Sequence, residues 1–268
     1  LINRYIFLVL SIVVFSFAGC NKKKGCLDIN ASNFDVSADK NCDDCCQYPT
    51  LSINLATYYA DSNFLNADSV YRTASNDSFQ IKELKFFMSG FRMSFTDGKS
   101  ITVADTFQYL TPVDLLNPKT AVKDIIIGSG FSFNNTVGSF VSSGNLNKFS
   151  FQVGLSPEIN QTRPNLVSST NILTVQSDTT MYRYPADGYN LCKISILLLK
   201  DSTTRQIFIP ATAGPFNIDY TTDTKIYPGI NALISLRLFV KDWFENVDIN
   251  SEEAIKNSVL DKISYSFK

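Results

Sequence analysis

The side chains able to do chemistry are unevenly spread along this sequence. Of its six cysteines, Cys20, Cys26, Cys42, Cys45 and Cys46 crowd toward the N-terminus and Cys192 stands apart. There is no histidine. Without imidazole, neither a Ser-His-Asp triad nor a Cys-His nucleophile can be built, and imidazole metal sites are excluded. A proton carrier near neutral pH would have to be a perturbed carboxylate, Lys, Tyr or Cys. Nucleophile elbow, Walker loop and zincin patterns are missing too, so a non-catalytic protein is expected. A net charge of −1 gives no support to nucleic-acid binding.

The cysteine-rich stretch admits three chemistries. Residues 25–48 resemble a short module found near the N-terminus of surface lipoproteins: Gly-Cys, an acidic or amide residue, Ala, Asn, an aromatic, Asp, then a closing Cys. The first reading is a disulfide staple, suited to an oxidising envelope compartment. Adjacent cysteines bridge only with distortion. If all four pair among themselves, Cys26 therefore joins Cys45 or Cys46, and Cys42 takes the other. The second is a calcium loop on Asp28, Asn30, Asp35, Asp39, Asn41 and Asp43, since Ca²⁺ takes closely spaced oxygens. Those same side chains also favour turns, by bonding to nearby backbone. The third is a soft-metal site, such as Cu(I), on the thiolates of Cys42, Cys45 and Cys46. Cys192 falls on the inward phase of a strand and reads as a small buried apolar residue.

Cys20 has a different context. Arg4 precedes an apolar run over residues 5–18 that is broken by Ser11 and Ser16. A membrane span needs about 20 apolar residues, so the run reads as the hydrophobic part of a signal peptide. It ends in Phe17-Ala18-Gly19-Cys20, which resembles a bacterial lipobox and implies a diacylated Cys20. The alternative is a plain signal peptide cut after Ala18 or Gly19. Asn21 is not an inner-membrane retention Asp, so a lipid anchor in the outer membrane is expected, on either its periplasmic or its surface face. Lys22-Lys23-Lys24 could rest on anionic headgroups, at about 1 kcal/mol each, or serve as a soluble spacer.

The elements that must carry these residues are strands. Leu51, Ile53 and Leu55 alternate with polar neighbours, as do Phe91, Met93 and Phe95. Asp97-Gly98 then turns the chain into Ile101 and Val103. Phe149, Phe151, Val153 and Leu155 give another strand, and Cys192, Ile194 and Ile196 another. The last of these turns at Asp201-Ser202-Thr203-Thr204 into residues 206–209. Ala232, Ile234, Leu236, Leu238 and Val240 complete the set. Half-buried strands with short turns predict a sandwich or barrel. Ser251 caps an expected helix that begins with Glu252 and Glu253, acids that suit the helix dipole. A short helical turn is expected over residues 113–116.

Four segments carry a family resemblance. Residues 81–98 (IKELKFFMSGFRMSFTDG), 149–165 (FSFQVGLSPEINQTRPN), 181–193 (MYRYPADGYNLCK) and 236–244 (LRLFVKDWF), closed by residues 253–257, are similar in order and spacing to the MbnP-like domain. The resemblance covers about residues 50–268 and implies a β-sandwich-like domain. In some members it also implies copper held by His beside an oxidised Trp. Here Gln161 stands where the family places that His, and Tyr182 and Tyr184 stand where it places Trp. The single Trp, Trp243, lies in another segment.

The expected protein is all-β: an antiparallel sandwich with a short C-terminal helix and a Cys-rich N-terminal loop module. Residues 1–20 are the signal, 21–48 the stapled module and 49–268 the sandwich. Its expected role is a cell-envelope binding module for a metal, with copper or calcium the candidates, for a small ligand, or for an envelope protein partner. A site is sought among Gln161, Arg163, Tyr182, Tyr184 and Asp187. The alternative is a structural or surface-interaction protein without a metal.

Overall fold

The computed structural model describes residues 22–42, 44–168, 170–174, 181–183 and 188–268. The expected signal segment with Cys20 lies outside these residues, as do Asp43, Tyr184 and Asp187. The head contributes β1 (Lys24–Gly25) and β2 (Lys40–Asn41). The body runs through β3 (Thr50–Ala60), β4 (Asn63–Phe64), β5 (Tyr71–Arg72), β6 (Ser78–Phe95), β7 (Ser100–Thr102) and β8 (Thr106–Thr111). Next come β9 (Asp114–Val122), β10 (Ile126–Ser129), β11 (Phe133–Ser139), β12 (Gly144–Val153) and the short helix α1 (Pro157–Asn160). The chain closes with β13 (Tyr182–Arg183), β14 (Gly188–Leu198), β15 (Thr203–Pro210), β16 (Phe216–Ile226), β17 (Ala232–Phe239), α2 (Lys241–Phe244) and α3 (Glu252–Lys262).

Two sheets face one another. Among the described residues the larger has nine strands, along the path β13-β14-β6-β12-β16. The smaller has four, built on β11-β3-β17. Alternation explains the layering: every second residue of β3 is buried, from Leu51 to Tyr59, and β17 buries Ile234, Leu236 and Leu238. These meet Phe149, Phe151, Ile194 and Ile196 of the larger sheet in the main core. Among the described strands, pairing is antiparallel except in β1–β2 and β17–β3. The β17–β3 partners lie far apart in sequence, so no tight turn dictates their direction.

The remaining elements follow their local chemistry. Ser251 accepts the Ala254 N–H at 3.2 Å and starts α3, which buries Ile255 and Val259. Trp243 is buried in the main core, with its Nε1 donating to Ser266 Oγ at 2.8 Å. The expected helical turn at residues 113–116 is absent. Pro112 and Val113 form a β-turn, and β9 starts at Asp114. Asp114 Oδ1 accepts the N–H groups of Leu116 and Asn117, and Asp114 pairs with Thr111 across the hairpin. Strand pairing therefore outcompetes a lone helical turn there. Among the described residues, no helix is long and apolar enough to cross a membrane.

The head docks on one end of the sandwich. Gly229, at φ +68°, lies so close to Ala31 that an added Cβ would come 2.6 Å from its carbonyl oxygen. Asn231 Oδ1 accepts the Thr50 N–H at 2.9 Å, fixing the entry to β3.

Candidate functional site

The outer face of the nine-stranded sheet carries a second, smaller core. Phe87 of β6 and Tyr189 of β14 pack there with Phe107, Tyr109, Leu155 and Ile159. The β8–β9 hairpin and the segment after β12 cover it. Ser156 caps α1 by accepting the Ile159 N–H, and Pro157 supplies the first helical residue. Thr162 turns inward and donates to the Leu110 carbonyl at 2.6 Å, pinning this segment to the hairpin.

Of the five residues sought there, Gln161, Arg163 and Tyr182 lie within the described residues. Tyr182 is half-buried, and its ring meets that of Tyr189 edge-on at 4.8 Å. Tyr189 is buried and donates to the Leu173 carbonyl at 2.8 Å, and burial pushes its hydroxyl pKa up. Gln161 and Arg163 flank Thr162 with exposed side chains. Tyr184 and Asp187 lie outside the described residues. So Tyr182 serves the second core, while Gln161 and Arg163 lie on the surface of the loop.

A residue not singled out from the sequence builds the better site. In β6, Ser89 pairs with Gln152 and Arg92 with Ser150, so Gly90 and Phe91 together oppose Phe151. This is a β-bulge, and Gly90 takes φ +65°, a conformation glycine adopts without strain. The bulge frees backbone N–H groups, and the loop after β9 answers with Asp124. Its Oδ2 accepts the Phe91 N–H at 3.0 Å, and the Gly90 N–H also bonds to the carboxylate. Asp124 is only 7% exposed. Burial pushes its pKa up to about 6, against the backbone N–H groups that pull it down. In the sequence, Asp124 sits just before Ile125-Ile126-Ile127 and reads as an ordinary turn residue.

Asp124 lines a cavity of about 250 Å³ between the sheet and the segment after β12. Arg92 and Gln152 contribute polar groups, and Val122, Ile125 and Ile159 contribute apolar wall. Gln152 Nε2 donates to Asn217 Oδ1 at 3.0 Å. That bond leaves its carbonyl oxygen toward Gly90, 3.2 Å from where a Cβ on that glycine would stand. Arg92 is exposed. The cavity thus offers a buried anion and a cation on one small, partly apolar wall.

In the head, Cys26 bridges Cys46 and Cys42 bridges Cys45. All three sulfurs considered as soft-metal donors, Cys42, Cys45 and Cys46, are therefore spent in disulfides, and a thiolate site there would first require reduction. Of the oxygens considered for calcium, those of the described residues accept hydrogen bonds, Asn30 Oδ1 from the Ser143 hydroxyl at 3.4 Å. Asp28 accepts from the Asn30 backbone and from the Tyr48 hydroxyl. Asp35 pairs with Lys23 at 2.8 Å, and with Ser37 this holds its pKa down at about 2. Asp39 takes the Lys23 N–H, and Asn41 takes the Leu27 N–H. Among the described residues, no three His, Cys, Asp or Glu side chains gather as metal ligands. Cys192 is a buried free thiol, its pKa pushed up by burial.

The donor set does not fit copper held by imidazole. Gln161 stands exposed at the expected His position, Tyr182 packs on Tyr189, and the sequence has no histidine.

Comparison with known proteins gives two matches. The MbnP family model matches residues 48–260. Among solved structures, MbnP from Methylosinus trichosporium is similar at 15% identity and a TM-score of 0.45, over 75% of this chain and 78% of that one. No curated protein matches.

Proposed function

Since the chain belongs to the MbnP family, we propose that it is a non-catalytic binding module of the bacterial cell envelope, held to a membrane by lipid on Cys20. The cavity at Asp124 carries this reading. A buried carboxylate with no basic partner among the described residues is costly to maintain, and a ligand supplies the missing charge. The two disulfides of the head suit an oxidising envelope compartment. The sequence Phe17-Ala18-Gly19-Cys20 supports the anchor, with the outer membrane as its site. The family's copper ligands are missing, so the bound species is sought at Asp124 rather than at the family's His position.

Two experiments test the reading. A fractionated small-molecule extract is expected to raise the melting temperature of the full chain and not that of Asp124→Asn. If no fraction does so, the binding reading falls. Labelled palmitate is expected on the wild-type chain and not on Cys20→Ala, and an unlabelled wild-type chain removes the anchor.

One observation favours a second reading, a surface-interaction protein. The β8–β9 hairpin exposes Val113 and Leu116 almost completely. Apolar side chains at a hairpin tip suit contact with an envelope protein partner. Resistance of residues 112–117 to protease on intact cells would count against surface display.

A further inference from the structure

We infer that the Asp124 cavity takes a small zwitterion of the α-amino-acid class, its ammonium on Asp124 and its carboxylate on Arg92. This rests on the binding-module reading and names the ligand class.

Two opposite charges line one small cavity, and among the described residues neither is paired. Asp124 is answered there only by backbone N–H groups, and Arg92 forms neither an ion pair nor a side-chain hydrogen bond. They do not pair with each other either, so a ligand carrying both charges satisfies both at once. A simple anion would meet Asp124, and a simple cation would meet Arg92. A metal ion is the poorer occupant, since hard cations want six or more oxygens. The lining offers a single carboxylate, the Gln152 carbonyl and the hydroxyls of Ser89, Thr102 and Ser156, with a guanidinium beside them, and Ser89 and Ser156 are already engaged with backbone.

Size and wall chemistry agree. The cavity, at about 250 Å³, lies below the roughly 300–1,000 Å³ typical of sites for drug-sized ligands. Gln152, oriented by Asn217, offers a second acceptor to an ammonium. Val122, Ile125 and Ile159 provide apolar surface for a short side chain.

The test is calorimetric titration of the full chain with L-alanine, L-valine, propylammonium and propionate. At least one amino acid is expected to bind, with the two single-charge probes weaker by about tenfold or more, the usual effect of losing one charged hydrogen bond. Asp124→Asn and Arg92→Ala are each expected to weaken amino-acid binding by a similar factor. The Asp124→Asn variant keeps a side-chain oxygen for the Phe91 N–H, and Arg92 is exposed, so both variants should fold. Unchanged Trp243 emission checks that. No amino-acid binding, equal binding of all four probes, or full affinity in Arg92→Ala overturns the inference. If the amino acids fail while an extract fraction still stabilises the wild-type chain, the ligand class is wrong and the binding module stands. If both fail, both readings fall.

Discussion

At the scale of single residues, Asp124 joins two roles in one carboxylate. It caps the N–H groups released by the β6 bulge, and it charges a cavity. Its pH behaviour follows from burial. The folded carboxyl holds its proton up to about pH 6, whereas its ordinary value is 3.8. Between those values the folded state binds more protons than the unfolded chain. Its own contribution to stability should therefore fall as pH rises through that window and stay level above it. Carboxylates held below their ordinary range, such as Asp35 and Glu83, pull the other way, so urea titrations from pH 3.5 to 7.5 should show the wild type losing stability relative to Asp124→Asn. Asp124→Ala should cost about 1–3 kcal/mol at any pH in that range, because it orphans buried N–H groups. Cys192 makes a second residue-scale case. Buried and with its thiol pKa raised, it should resist iodoacetamide until denaturant is added, as followed by intact mass.

At the scale of elements, β6 organises the molecule. Its inward phase changes twice. Phe79 and Ile81 face the main core, then Leu84, Phe86 and Met88, then Phe91, Met93 and Phe95. Each change coincides with a shift of register against a neighbour, at Ser195/Ile196 of β14 and at Ser150/Gln152 of β12. The second shift places Gly90 at positive φ. Gly90→Ala should cost about 1–2 kcal/mol from backbone strain, and it would also press on Gln152. Both the urea midpoint and affinity at the cavity should drop. The cap of α3 is a simpler element, and Ser251→Ala should cost about 1 kcal/mol without altering the cavity.

At the scale of the whole molecule, a stapled head sits on a sandwich that has its own core. The Cys26–Cys46 bridge closes 20 residues of chain, a loop size for which a disulfide contributes about 3 kcal/mol. The head has little apolar core of its own, burying Cys26 and Ala31. Reduction should therefore open the head to protease while the body stays folded. Trp243, buried in the main core, reports on the body alone. Its emission should not shift to the red when dithiothreitol is added, and a shift would show that head and body fold as one unit.

How much of this was legible in the sequence depends on period. Where one face is buried and the other wet, as in Leu51, Ile53 and Leu55 or in Ile234, Leu236 and Leu238, alternation alone identified the strand, because the side-chain period of a strand is two. Ser251 announced α3 by the same kind of local rule. The strands β9, β11 and β16 carry many exposed residues that blur alternation, and β10, β11 and β16 take their pairing from β6, β3 and β12, neighbours distant in sequence. The phase changes of β6 blurred the reading at Phe86-Phe87, where adjacent aromatics face opposite cores. The absence of histidine was a compositional fact, and it removed the imidazole ligands before any fold was considered. Tertiary structure alone decided that Asp124 meets Gly90 and Phe91, and that Arg92 and Ile159 share its cavity. A bulge and a buried charge are satisfied by groups that only the packed sheet brings together, and no local pattern in the chain encodes that meeting.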